Sequence, residues 1–272
     1  MPEVTKLALL DRPEISRLLF YPRPDPEDWK PPDAIDRLVQ MDDGVSVGVR
    51  LYLVGADKPA ILFFHGNGEI ASDYDDVGPI YNSYGINFFV ADYRGYGKST
   101  GAPSASALIG DAHAVFKDIT GWMDENKYLN PLFLMGRSLG SASALELGVA
   151  YQARVHGLIL ESAFAQTLPL LRLVGIPVER LALTEENCFG NERKIELFRK
   201  PTLIIHAQND HIIPFNHAQI LMERSPASGK QLIMVPGANH NDILYRAGEE
   251  YFKAIHQFMQ NQNLNTPFCK RG

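Results

Sequence analysis

Residues 136 to 140 read GRSLG, with a glycine two positions to either side of Ser138. That spacing suits a nucleophile elbow, in which a strand turns abruptly into a helix and holds the serine in a strained backbone conformation facing a cleft. Residues two before and two after the serine crowd each other in such a turn, and Gly136 and Gly140 have no Cβ to collide. The five-residue pattern alone is weak. Its context carries the weight: the apolar run PLFLM precedes it, and Ser141, Ala142 and Ala144 follow as small residues that let a helix pack closely on a sheet.

A neutral serine hydroxyl is a poor nucleophile and needs a base to take its proton and an acid to orient that base. Of eight histidines, His240 alone lies in a short loop between the last strand-like run, QLIMVP, and the last helical pattern. There an imidazole can reach back over a sheet edge. Asp210 follows the run PTLIIHA and precedes HIIPF, at a strand end with a helix beyond. The order Ser138, Asp210, His240 is the one expected where a doubly wound sheet carries such a triad. Asp242, two residues past His240 at a helix start, is the rival acid, and its place suits capping of first-turn amides. His211 and His217 read as surface or helix-face residues. His113, His156 and His256 sit in helix or strand patterns with packing or solvent roles.

Acyl transfer also needs donors aimed at the oxyanion, worth about 10² to 10³ in rate for one donor. The amide of Leu139, directly after the serine, is one candidate, and the amide of Asn67 in HGNGE (65–69) is the other. Gly66 and Gly68 allow that turn to be tight, the His65 imidazole reads as its prop, and Glu69 as a cap for the following helix. This machinery calls for no metal and no organic cofactor. A peptidase acting beside a free amine would need an acidic pocket, for which Glu161, Glu185 and Glu186 are candidates. A non-catalytic receptor using the fold as a pocket is a third reading, to which the intact set of three residues is a counterargument.

Positioning these loops requires a particular scaffold. VSVGVRLYLV, AILFF, INFFVAD, PLFLMG, VHGLILES, PTLIIHA and QLIMVP are strand-like, and helical spacing runs through Ser104 to Asn126, Leu139 to Tyr151, Phe215 to Arg224 and Asp242 to Asn261. Alternation of this kind predicts an α/β fold with a mostly parallel, doubly wound sheet of about eight strands. The polar loops directly follow the apolar runs, so they converge on the carboxyl edge of the sheet. Residues 1–44 read as an N-terminal extension packing on the core, including the Pro-rich stretch YPRPDPEDWKPP as an extended, irregular lead-in. Residues 45–272 read as one α/β domain, with an insertion at about 163–200 forming a small helical cap.

At 272 residues and 45% hydrophobic composition the chain can bury one large core. A net charge of -6 without a Lys/Arg cluster argues against nucleic acid or anionic membrane as partner, which leaves a neutral small-molecule acyl substrate. Cys188 and Cys269 show no metal-ligand or disulfide spacing, and two free thiols fit a reducing cytoplasm. The N-terminal apolar stretch is cut by Asp11 and Arg12, too short for a secretory signal, and Leu168 to Leu183 is broken by Arg172, Glu179 and Arg180, so no membrane span is expected.

From about Val45 to Met259 the chain resembles the α/β-hydrolase superfamily. HGNGE resembles the oxyanion loop of that family, DYRGYGKSTG (92–101) the motif after its next strand, GRSLGS its elbow, and NDHIIPF and GANHNDI its acid and histidine loops. The combination is most similar to the branch of serine aminopeptidase-like proteins, bacterial esterases and eukaryotic α/β-hydrolase-domain depalmitoylases. The resemblance implies hydrolysis of an acyl ester, thioester or amide. Unlike the depalmitoylases, this sequence has no cysteine-rich N-terminus.

Overall fold

The computed structural model describes residues 4–26 and 29–263. Eight strands, β1 (Ala34–Gln40), β2 (Ser46–Tyr52), β3 (Ala60–Phe64), β4 (Asn87–Ala91), β5 (Leu132–Arg137), β6 (Gly157–Glu161), β7 (Thr202–Ala207) and β8 (Lys230–Val235), form one sheet. Their order is β1-β2-β4-β3-β5-β6-β7-β8. Pairing is antiparallel for β1 with β2 and β2 with β4, and parallel everywhere else. From β3 the chain steps to one side for β4 and returns to the other side for β5. The reversal leaves a crevice beyond the carboxyl ends of β3 and β5, where doubly wound sheets hold their ligands.

The central strands read as unbroken apolar runs because both faces of the sheet are covered. Every residue of β3, β4 and β6 is buried. The two faces are nonetheless distinct, with a period of two. Leu62, Phe64, Leu134 and Leu160 pack toward the helices Ala105–Glu125 and Gly140–Ala150. Ile61, Phe63, Met135 and Ile159 pack on the other side with Tyr81, Phe252 and Phe258. In register, Phe64 at the end of β3 lies opposite Gly136 of β5, which sets the HGNGE turn beside the serine turn.

Helix limits follow local chemistry. Ser104 caps Ala105–Glu125 by accepting from the Ala107 amide at 3.1 Å. The last helical pattern is divided into Ile243–Ala247 and Glu249–Asn263, because Gly248 takes φ +53. The insertion contains the helices Leu168–Leu173 and Asn191–Leu197 with a 3-10 turn at Glu185–Asn187.

The sheet begins earlier than the boundary at residue 45. Strand β1 lies inside the 1–44 segment and pairs with β2 along its whole length. Its sequence AIDRLVQ carries two charges in mid-strand, and as an edge strand it is buried only at Ala34 and Val39, so it lacks the apolar run that marks its neighbours. Cys188 is a buried thiol, while Cys269 lies outside the described residues. Among the described residues no helix is long and apolar enough to cross a membrane.

Candidate active site

Strand β5 ends at Arg137, and Ser138 takes φ +51, a left-handed backbone that costs a non-glycine residue about 1–2 kcal/mol. The surroundings hold it there. The Ser138 amide donates to the Glu161 carbonyl at 2.9 Å, and its own carbonyl accepts from the Ser141 hydroxyl at 2.6 Å. A Cβ on Gly136 would run into the Gly140 carbonyl, and one on Gly140 into the carbonyls of Phe64 and His65. The two glycines therefore let the serine turn close on itself and sit directly against the end of β3.

The structure brings Ser138, His240 and Asp210 together from three loops. His240 Nε2 lies 3.0 Å from Ser138 Oγ, and Nδ1 lies 2.7 Å from Asp210 Oδ2. With Nδ1–H donating its hydrogen bond to Asp210, Nε2 presents its lone pair to the serine hydroxyl. The other carboxylate oxygen, Oδ1, accepts from the amides of Ile212 at 3.0 Å and Ile213 at 2.8 Å. Burial works to raise the Asp210 pKa, but the His240 hydrogen bond and charge and the Ile213 amide outweigh it and hold the carboxyl below its usual range. Asp242 takes no part in this chain: it accepts from the Asn239 amide at 2.7 Å and from Arg246 at 3.1 Å. It stands at the N-cap position of Ile243–Ala247, yet its side chain braces the histidine loop and caps no first-turn amide.

Asn67 is fixed by its side chain. Its Oδ1 accepts from the Tyr96 hydroxyl at 2.6 Å and the Tyr21 amide at 3.0 Å, and its Nδ2 donates to the Leu19 carbonyl at 2.8 Å. Among the described residues neither the Asn67 nor the Leu139 amide is bonded to another protein group, and both residues line the cavity beside Ser138. His65 is fully buried; its Nδ1 donates to the Gly66 carbonyl at 2.8 Å, and Nε2 lies 3.2 Å from Asp92. Gly68 takes φ +80. Glu69 departs from the helix-cap expectation: it accepts from the Gly66 amide at 2.7 Å and from the Tyr74 hydroxyl at 2.6 Å, closing the turn that carries Asn67.

Sequence reasoning passed over Arg137, the variable position of the elbow. Its side chain is 11% exposed and reaches three other segments. Nε donates to Glu161 at 3.0 Å, Nη1 pairs with Glu69, and Nη2 donates to the His240 carbonyl at 2.8 Å. Glu161 in turn accepts from the Tyr251 hydroxyl. Burial pushes the Glu161 pKa up despite the neighbouring guanidinium, whereas the Glu69 pKa is brought down against burial by Arg137 and Tyr74. The available signal was positional: an arginine next to the serine and a glutamate closing the adjacent strand stand in register, Arg137 opposite Glu161.

A cavity of about 340 Å³ opens onto Ser138. Leu170, Leu171, Leu173 and Val174 of the insertion, with Phe164, Phe189, Ile212 and Ile213, make most of its wall. Leu19 and Tyr21 close another side, so the lead-in to the Pro-rich stretch, read above as packing, borders the site. None of the described lining residues is a carboxylate. Glu161 is committed to Arg137 and Tyr251, and Glu185 accepts from the amides of Thr167 and Leu168, both at 2.8 Å. His217 proves buried, with Nδ1 accepting from the Ala165 amide at 3.2 Å, and burial lowers its pKa. The described residues contain no cluster of His, Cys, Asp and Glu suited to a metal ion.

Comparison with known proteins places this architecture. The family model described as "Serine aminopeptidase, S33" matches residues 55–186. Protein bem46 of Schizosaccharomyces pombe is 28% identical over 215 residues, covering 77% of this chain and 70% of that protein. Alpha/beta hydrolase domain-containing protein 17C of Xenopus tropicalis is 32% identical over 213 residues, covering 76% of this chain and 63% of its own length. Among solved structures, the Pyrococcus furiosus esterase Pf2001 superposes with a TM-score of 0.71 at 18% identity, covering 88% of this chain and 98% of the esterase, a likeness of fold. With its eight-stranded, mostly parallel sheet and these likenesses, the chain has the α/β-hydrolase fold.

Proposed function

We propose that the protein is a serine hydrolase that cleaves acyl esters or thioesters carrying an apolar acyl group. One observation carries the reading: the Ser138–His240–Asp210 hydrogen-bond chain opens onto a cavity whose described walls are mostly apolar and hold no carboxylate. In the proposed reaction His240 Nε2 takes the Ser138 proton as Oγ attacks the acyl carbon. The amides of Asn67 and Leu139 receive the oxyanion, and His240 returns the proton to the departing alcohol or thiol. Water, deprotonated by the same imidazole, then releases the acid and restores the serine. Asp210 keeps the imidazole oriented and stabilises its charged form.

A positively charged substrate amine would enter this cavity without a partner and lose its hydration, which disfavours an aminopeptidase despite the family model's description. The test is a series of p-nitrophenyl esters from acetyl to palmitoyl and the matching acyl thioesters, set against aminoacyl p-nitroanilides. Ester turnover should peak at one chain length, with the aminoacyl amides at least about 10²-fold slower. Faster hydrolysis of the amides, or no turnover of any ester or thioester, would overturn the assignment.

Arg137 enters this proposal as a positioning residue, because it ties the nucleophile strand to the turn carrying Asn67 and to the His240 backbone. Displacing reacting groups by about 1 Å can cost about 10² in rate. Arg137→Gln is therefore expected to lower kcat by about that factor with KM nearly unchanged, and Arg137→Lys to recover part of the loss. Leaving Glu69 and Glu161 without their shared cation should also destabilise the fold by about 3 kcal/mol or more. Steady-state kinetics well below the melting temperature separates the two effects. A normal kcat in a folded Gln variant would remove Arg137 from the catalytic arrangement.

A further inference from the structure

The cavity at Ser138 has a neighbour. A second cavity of about 380 Å³ lies between the insertion and the helices Ala105–Glu125 and Gly140–Ala150, with Leu7, Ile109, Val149, Cys188 and Leu197 in its apolar lining and glutamates, Arg193 and Lys194 as its charged one. The two share part of their lining segment. Along the chain, Phe164 and Thr167 line the first cavity while Ala165 lines the second. Glu185, from the wall of the second, accepts from the amides of Thr167 and Leu168 and binds that segment. Among the described residues Phe189 alone lines both cavities.

Its backbone neighbourhood is anchored. Asn191 Nδ2 donates to the Phe164 carbonyl at 2.9 Å, and the Glu192 amide donates to the Ala165 carbonyl at 3.1 Å. Phe189 is 2% exposed, and its ring meets the Phe164 ring edge-on at 5.9 Å. A benzyl group held this way presents a firm apolar surface to anything entering from Ser138. Resting on the reading of the Ser138 site as an acyl-ester hydrolase, we propose that Phe189 is the end wall of the acyl pocket. It restricts the enzyme to acyl chains that stop at its ring, and the apolar part of the lining behind it, Leu7, Ile109, Val149 and Leu197, is a latent extension for longer chains.

Each methylene that finds apolar contact raises binding by about fourfold. Across p-nitrophenyl esters of increasing chain length, wild-type kcat/KM should climb by about that step and then fall once the chain meets Phe189. In Phe189→Ala the maximum should move to longer chains. In the double variant Phe189→Ala with Val149→Phe, which refills the second cavity from the helix Gly140–Ala150, the maximum should move back toward the wild-type length. Val149→Phe alone should leave the wild-type profile in place. Should Phe189→Ala fail to fold, Phe189→Leu makes a milder opening and should give a smaller shift in the same direction. A folded Ala or Leu variant with the wild-type chain-length maximum overturns the proposal, as does a shift that Val149→Phe does not reverse. If the wild type hydrolyses no ester at all, it is the acyl-hydrolase reading that fails, a result distinct from an unmoved maximum.

Discussion

Ser138→Ala is expected to lower kcat on the best ester about 10⁶-fold, because removal of a nucleophile that works as a unit with its base leaves only the binding and oxyanion contributions. Labelling by a fluorophosphonate should disappear with it. The fold should survive, since the Ser138 hydroxyl faces His240 and makes no bond that supports the turn; the turn is held by the Ser138 amide and carbonyl. Ser138→Gly sharpens the experiment. At φ +51 a glycine is free of the Cβ conflict that serine bears, so this variant should be as inactive as the alanine and more stable than it by about 1 kcal/mol. Thermal unfolding of the two variants beside the wild type reads the difference. Retained activity in either would reassign the nucleophile, and a glycine variant less stable than the alanine would refute the claim of stored backbone strain.

Asp210→Asn should lower kcat about 10⁴-fold, whereas Asp242→Asn should stay close to wild type. The size of the first effect follows from who holds each oxygen of the carboxylate. Oδ1 accepts two backbone amides, those of Ile212 and Ile213, so an asparagine must turn its carbonyl oxygen toward them. Its NH₂ group then faces His240 Nδ1 as a donor. The imidazole answers by carrying its proton on Nε2, where it points at Ser138 and can no longer accept the hydroxyl proton. Asp242 instead bonds the Asn239 amide and Arg246, so its loss loosens a loop and leaves the tautomer alone.

The same carboxylate gives a pH signature in stability. Its folded pKa lies below the ordinary value, so its contribution is present above the unfolded pKa of about 3.9 and fades as the pH falls through the folded value. The stability gap between wild type and Asp210→Asn should be open at neutral pH and shrink below about pH 4. A gap that stays constant down to pH 2 would mean that Asp210 is not stabilised as a carboxylate.

What the sequence determined by itself was whatever depends on near neighbours in the chain. GRSLG encodes a turn because two missing Cβ atoms are needed within five residues, and the structure has both glycines where a Cβ would strike backbone. Unbroken apolar runs marked the central strands, since a strand covered on both faces has no polar side to show. Ser104 placed the start of the long helix at Ala105 through one local hydrogen bond. The order of polar loops along the strand ends was enough to send Ser138, Asp210 and His240 to one edge, where the structure brings them within hydrogen-bond reach.

Tertiary structure alone decided the rest. Arg137 meets Glu69 and Glu161 because strand register sets their side chains together, and a polar pair separated by 68 residues leaves no periodic trace. Asn67 depends on Leu19, Tyr21 and Tyr96, which arrive from remote segments. Strand β1, charged in mid-strand, was hidden because an edge strand buries little. Whether the apolar stripe of the insertion lines a pocket or only packs on its own domain is equally silent in the sequence. Hydrophobic spacing reports that a side chain leaves water, and only the packed fold determines whether it faces Ser138, the second cavity, or the core between them.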